Sequence, residues 1–231
     1  MTQSVGTPDA AAVARAATRL GRELSSGQAA ILAGYLGLLA RWRRKVNLVG
    51  PSDWETILET LVADSWHVGD FLAGPAAPHL PPVGDPLVCL DFGAGAGLPG
   101  IPLRAFFNRG DYLLLEARQK RAVFLGEAVA RLGLAGMGVA EGRVEATAPA
   151  ALARREGEFA LCLSRAFAPW PEFLAICRSL VRPPMAVLTM TGEEPARAAI
   201  SEGFALAAGT SYQIGGRTRY VSLFVPATAS M

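Results

Sequence analysis

The chain has 231 residues, 51% of them hydrophobic and 18% charged, with a formal net charge of +2. That length supports one substantial core, while the longest uncharged apolar run, Ala29 to Ala40, falls short of the roughly 18 to 20 residues of a membrane span, and so small a net charge does not by itself announce nucleic acid. Cys89, Cys162 and Cys177 are widely spaced in apolar segments without a CxxC, so neither a disulfide framework nor a zinc site is indicated, and MTQSVGTPDA lacks the basic flank and apolar stretch of a secretory signal, so a cytoplasmic protein is expected.

Residues 8 to 45 predict two helices, since Ile31, Tyr35, Leu38 and Leu39 recur at helical spacing, with a break near Ser25-Ser26-Gly27. VNLVGPSD reads as a loop. Ser52, followed three places later by Glu55, forms a capping box that opens a helix running to about Leu72. The stretch GPAAPHLPPVGDP holds too many prolines for a helix or a central strand. It divides the chain into a helical cap (1–73), a linker (74–86) and a ligand-binding domain (87–231). From Leu87 onward, PLVCLDF, DYLLLEA, MGVAEG, FALCLSR and MAVLTMT read as parallel strands joined by crossover helices. The clearest of those helices run from Arg121 to Leu134, ended by Gly133 or Gly136, and from Pro171 to Leu180. FALAAGTSYQI and TRYVSLFVP, turning at Gly215-Gly216, form a terminal antiparallel hairpin. The fold expected is therefore α/β and Rossmann-like: a seven-stranded, mostly parallel sheet behind a small helical front region.

In such a sheet ligands bind at the carboxyl ends of the strands, and CLDFGAGAGLPGIPL places bare backbone there. Gly93, Gly95 and Gly97 are the cradle. Gly95, Gly97 and Gly100 also fit GxGxxG, a weak signal alone, so a dinucleotide and S-adenosylmethionine compete. Asp91 ends the first strand, where it would repel a pyrophosphate and favour the cationic ammonium and sulfonium of S-adenosylmethionine. Glu116, at the end of the second strand, suits a ribose diol in either case. The terminal hairpin resembles the reversed last strand of class I methyltransferases, so S-adenosylmethionine is the cofactor expected and no metal is. Basic clusters at Arg41, Arg43, Arg44 and Lys45 around Trp42, at Arg118, Lys120 and Arg121, and at Arg217 and Arg219 fit phosphate contacts and equally fit solvated helix faces.

Taken together, WRRKVNLVGP, LDFGAGAGLPGIPL, LLLEARQKRAVFL, EGRVE and LSRAFAP resemble the RsmG (GidB) family, bacterial methyltransferases that make N7-methylguanosine in 16S ribosomal RNA. The resemblance runs from about Leu36 to Val225. It implies that Gly93 and Leu98 contact the cofactor, that Val144 and Glu145 border its adenine, and that Arg165, at the end of the fourth strand, meets the guanine or an RNA phosphate. Asn47 belongs to the same pocket by matched position. The chemistry implied needs no general base, because N7 of guanine already carries an in-plane lone pair. Expected partners are 16S rRNA or the small-subunit particle, met by a monomer. Three positions depart from the family pattern: Thr60-Leu61 stands where Arg-His is usual, Thr191 where Lys is usual, and Tyr220 where His is usual. These departures leave two alternatives open, a diverged methyltransferase acting on another RNA or a small molecule, and a non-catalytic RNA-binding or assembly protein.

Overall fold

Near-continuous apolar runs become strands covered on both faces. In the computed structural model, which describes residues 8–43, 45–182, 184–195 and 201–227, these strands are β1 (Leu87–Phe92), β2 (Asp111–Glu116), β3 (Met137–Glu141), β4 (Phe159–Arg165) and β5 (Met185–Thr191). All six residues of β1 are buried. The hairpin strands β6 (Phe204–Ile214) and β7 (Arg217–Pro226) complete one sheet of order β3-β2-β1-β4-β5-β7-β6. β1 to β5 pair in parallel and β7 runs antiparallel to both β5 and β6. The expected α/β sheet with its terminal hairpin is thus present. Arg44, from the first basic cluster, lies outside the described residues.

The front helices are α1 (Ala10–Arg19), α2 (Ser26–Trp42), α3 (Trp54–Ile57) and α4 (Ala63–Ala73), with a π-helical turn, Leu58–Val62, between the last two. Ser25 caps α2 in a full capping box with Gln28. The cap expected at Ser52 moves by one residue. Asp53 accepts the Thr56 N–H at 2.7 Å instead, which suits the positive end of a helix better than a hydroxyl does, and the Ser52 carbonyl is taken by the Arg43 guanidinium. The proline-rich segment carries one short 3₁₀ turn, Ala77–His79. After β1 come α5 (Gly100–Leu103), α6 (Gln119–Leu132), α7 (Val144–Leu152) and α8 (Trp170–Leu180). Gly133 ends α6 in the left-handed conformation, φ +60°.

One contiguous core runs from Val13, Leu32 and Trp66 of the front helices through Ile101 and Phe124 to Leu161 and Leu223 in the sheet. A second, smaller one packs Phe173 and Cys177 of α8 against β1, β4 and β5. Cys89, Cys162 and Cys177 are free and buried, as small apolar side chains. Among the described residues no helix is long and apolar enough to cross a membrane. The front helices do more than cover the sheet, because the buried hydroxyl of Tyr35 donates to the Ala96 carbonyl at 2.7 Å and Ser65 donates to the Pro99 carbonyl at 3.1 Å. Both acceptors lie in the loop that follows β1. Replacing Tyr35 by Phe leaves a buried carbonyl unpaired, and is expected to cost about 1 to 2 kcal/mol in a chemical-denaturation titration.

Candidate active site

The strand order reverses between β1 and β4, which opens a crevice beyond their carboxyl ends. The segments leaving both strands meet there. Gly93, Gly95 and Gly97 all have positive φ (+67°, +60° and +81°), so this path needs glycine. A Cβ on Gly93 would lie 2.6 Å from the Phe167 ring, which follows β4, and one on Gly97 would strike Ile101 at 2.5 Å. Around Gly95 nothing comes nearer than 3.6 Å, the distance to Arg121 Nη1. That residue presents the open side of the loop.

Two carboxyl groups brace the loop from within. Glu116 accepts the Gly95 and Arg118 amides, each at 2.8 Å. Asp91 is 1% exposed. It lies beneath the loop, accepting from Tyr112 at 3.1 Å and from the Gly100 amide, while its Oδ1 is buried without a hydrogen-bond partner. Gly100 exists to make room for it, since a Cβ there would sit 2.5 Å from Oδ2. Burial pushes the Asp91 pKa up to about 8, with the charge of Glu116 adding to the effect and the two hydrogen bonds opposing it.

This loop is poorly made for a pyrophosphate. Its Gly95 amide is committed to Glu116, its Gly97 amide to the Ala94 carbonyl and the Ile101 amide to the Gly97 carbonyl. The helix that follows, α5, has only four residues. A dinucleotide site needs free amides and a helix N-terminus aimed at the phosphates. S-adenosylmethionine fits better: half-buried glycine backbone at Gly93 and Gly95, no phosphate to satisfy, and two carboxyl groups beneath the loop, of which Asp91 has an orphaned oxygen and would be drawn toward its ionised form by a cation.

Along the same edge the structure gathers the other residues singled out in the sequence. Glu116 and Glu141 are register partners at the ends of β2 and β3, and Gly142 leads from there into α7, whose first turn holds buried Val144 and exposed Glu145. Leu98 is half-buried against the core. Arg165 turns toward the front helices, pairing with Asp64 at 3.3 Å and donating to the Leu61 carbonyl at 3.0 Å. That carbonyl belongs to the π-helical turn, a widening common at functional sites. Tyr212, from β6, donates to the other oxygen of Asp64 at 2.8 Å and stacks on His67 at 4.0 Å between ring centroids. Asn47 is exposed, and its carbonyl accepts from Arg121 at 3.3 Å.

The family profile for GidB, rRNA small subunit methyltransferase G, matches residues 28–207. The chain belongs to the GidB family. It is 43% identical, over 199 residues, to ribosomal RNA small subunit methyltransferase G of Nitratidesulfovibrio vulgaris (strain DP4), covering 85% of this chain and 86% of that protein. The protein of the same name from Lawsonia intracellularis is 38% identical over 202 residues, 87% of this chain and 88% of its own. The fold is also that of the O-methyltransferase TomG from Streptomyces achromogenes, solved with S-adenosylmethionine, at a TM-score of 0.53 and 15% identity, covering 84% of this chain and 90% of that one. The architecture is a class I methyltransferase.

Within this GidB protein the three positions read in the sequence as departures, Thr60-Leu61, Thr191 and Tyr220, fall in two places. Thr191 and Tyr220 are directly opposed on β5 and β7. Opposed residues share a face of the sheet and successive residues alternate, so this pair lies on one face, while Arg165, Met190, Val221, Arg219 and Tyr212 share the other. A cavity of about 570 Å³ opens on the outer part of the hairpin, lined by Pro195, Gly209, Ser211, Tyr220 and Ser222 among others, none of them from the glycine loop. Thr60 instead meets the hairpin turn, 3.2 Å from where a Gly215 Cβ would be, and Leu61 contributes only its backbone to Arg165.

Tyr35, Asp64, Phe167 and Tyr212 are parts of the site that sequence reasoning did not pick out. Asp64 gave little local signal, since the same helix also carries Ser65, His67 and Asp70. Two outcomes test the site. Arg165→Ala leaves the Asp64 carboxylate buried with Tyr212 alone, and should cost about 3 kcal/mol in stability by denaturant titration. Asp91 titrates higher in the fold than in the unfolded chain, so the unfolded chain ionises first and stability falls as the pH rises from about 4 to about 8. Asp91→Asn removes this dependence; its stability relative to wild type should rise by about 1 kcal/mol per pH unit over that window, measured by melting without ligand.

Proposed function

We propose that this protein transfers a methyl group from S-adenosylmethionine to N7 of a guanosine in 16S ribosomal RNA, working in the cytoplasm as a monomer on the RNA or the small-subunit particle. The observation that carries this reading is the glycine loop at the β1–β4 crevice, its Ala94, Gly95 and Gly97 amides used internally and two carboxyl groups beneath it, in a chain of the GidB family. The relatives that match across the chain are named as methyltransferases of small-subunit ribosomal RNA.

When bound, the cofactor supplies an electrophilic methyl carbon on a sulfonium centre. The residues of this chain do the rest. Gly93, Gly95 and Gly97 let the main chain approach closely, and Glu116 holds that main chain in place before any ligand arrives. Asp91 would take up its charged form only as the cationic ligand settles over the loop, which favours that ligand over an anionic one. Leu98 borders the cofactor, with Val144 and Glu145 on its adenine side. Arg165, aimed by Asp64 and Tyr212, meets the guanine or a neighbouring phosphate, and Asn47 stands at the outer lip of the same pocket. No side chain has to remove a proton, because the attacking nitrogen is already a free lone pair. Alignment is then the main contribution, and in favourable systems it supplies up to about 7 to 11 kcal/mol.

Two of the three basic clusters read in the sequence meet on one surface. Arg121 bonds to the Asn47 carbonyl, Trp42 packs edge-on against Phe124 of α6 at 5.7 Å, and Lys45 lies over the Trp42 ring. Arg121, 3.6 Å from where a Gly95 Cβ would be, and Arg118, whose amide shares Glu116 with Gly95, bring this surface up to the loop, as a phosphate-binding surface would. Calorimetry with S-adenosylmethionine, followed by methyl transfer to small-subunit RNA from a strain lacking the family enzyme, tests the reading. Both should succeed; cofactor binding without transfer would remove the RNA substrate. Lys120→Ala should weaken RNA binding at every sequence and lower the slope of log affinity against log salt by about one.

A further inference from the structure

Phe167 is a large apolar side chain that stays 36% exposed, and it stands beside the glycine loop. Its Cδ2 is 2.6 Å from where a Cβ on Gly93 would be, so the ring uses space that only glycine leaves. Phe92 and Phe173 support it from the core, at 6.2 and 6.1 Å between centroids and tilted by 60° and 74°. Ala166 turns the chain to bring it there, with φ +57°, a left-handed conformation that alanine disfavours. Its immediate neighbour in the sequence, Arg165, is the side chain fixed by Asp64. An aromatic ring buttressed by the core and the loop, yet open at the carboxyl end of the crevice, is a platform for a flat ligand.

We propose that Phe167 stacks on the target guanine and holds it more strongly as the methyl arrives than before. This role rests on the functional reading above. In that step the N7 lone pair forms the bond to the methyl carbon, the S–CH₃ bond breaks with its electron pair staying on sulfur, and one positive charge passes from sulfonium to the guanine ring system. No proton moves. The face of a phenyl ring is electron-rich and attracts a cation, so a ring lying against the purine gains interaction energy as that charge arrives. The adenine of the cofactor is not the partner, since its side of the loop lies toward the ends of β2 and β3, whereas Phe167 leaves β4.

The experiment compares the wild type with Phe167→Leu, Phe167→Tyr and Phe167→Trp, and with progressively fluorinated phenylalanines installed at 167, on small-subunit RNA. Leu should lower kcat about tenfold or more, with the S-adenosylmethionine Kd from calorimetry changed by less than about threefold, while Tyr and Trp stay near wild type. In the fluorinated set, log kcat should fall steadily as the ring face loses electron density, at constant cofactor Kd. Wild-type kcat in Phe167→Leu, or a flat fluorination series, overturns the proposal. So does a cofactor Kd that weakens in step with the rate, which would place the ring on the sulfonium or on the loop itself. A wild type that transfers no methyl to this RNA sinks the functional reading and the Phe167 role with it; an active enzyme indifferent to the ring sinks only the latter.

Discussion

The carboxylate of Glu116 takes the amides of Gly95 and Arg118 in its two oxygens, and the ligand edge of this protein is organised around that pair of bonds. Each links a different element to the end of β2: one holds the loop after β1, the other the start of α6. Three glycines in the left-handed region have no conformational preference of their own to keep them there. Their path is therefore imposed from outside, by Glu116, by Tyr35 on the Ala96 carbonyl and by the Asp91 carboxyl under Gly100. Such a loop is preorganised, and it reserves little of its own hydrogen bonding for a ligand. A ligand that depends on main-chain amides is disfavoured by it, and one that depends on shape and charge is admitted.

Asp64 plays the corresponding part at the neighbouring strand. Buried on α4, it receives the Arg165 guanidinium from β4 and the Tyr212 hydroxyl from β6, so the front helices, the parallel sheet and the terminal hairpin are joined through one side chain. A buried ion pair of this kind contributes more to orientation than to net stability. Arg165 gains a fixed direction, and Arg219, across from Tyr212 on the same face of the sheet, adds a second cation whose Nε finds no partner among the described residues. Thr191 and Tyr220 lie on the opposite face, away from this Arg165 arrangement.

Much of this was legible from the residues in order. The limits of β4 and β5 coincide with the apolar runs that predicted them, because a strand buried on both faces must be largely apolar, while β6, the half-exposed edge strand, was bounded instead by the Gly215-Gly216 turn. The glycine loop was legible for a related reason, since only a place needing bare or left-handed backbone collects glycine after a buried strand. The cap at Asp53 was missed by one residue because Ser52 and Asp53 are both good caps, and the choice fell to the contact between Arg43 and the Ser52 carbonyl.

What the sequence determined by itself is the set of elements, their order and the position of the bare loop, all of which follow from local periodicity and from backbone conformations that few residues tolerate. What only the tertiary structure decided is which polar groups face a ligand and which brace the site. Asp91 ends a strand in the sequence but lies under the loop in the fold, where loss of water raises its pKa. Arg165 and Asp64 are 101 positions apart along the chain, and Tyr212 reaches Asp64 across 148. Such pairings depend on how helices pack against a sheet, and local sequence carries no record of that packing because its energy is non-local and non-directional.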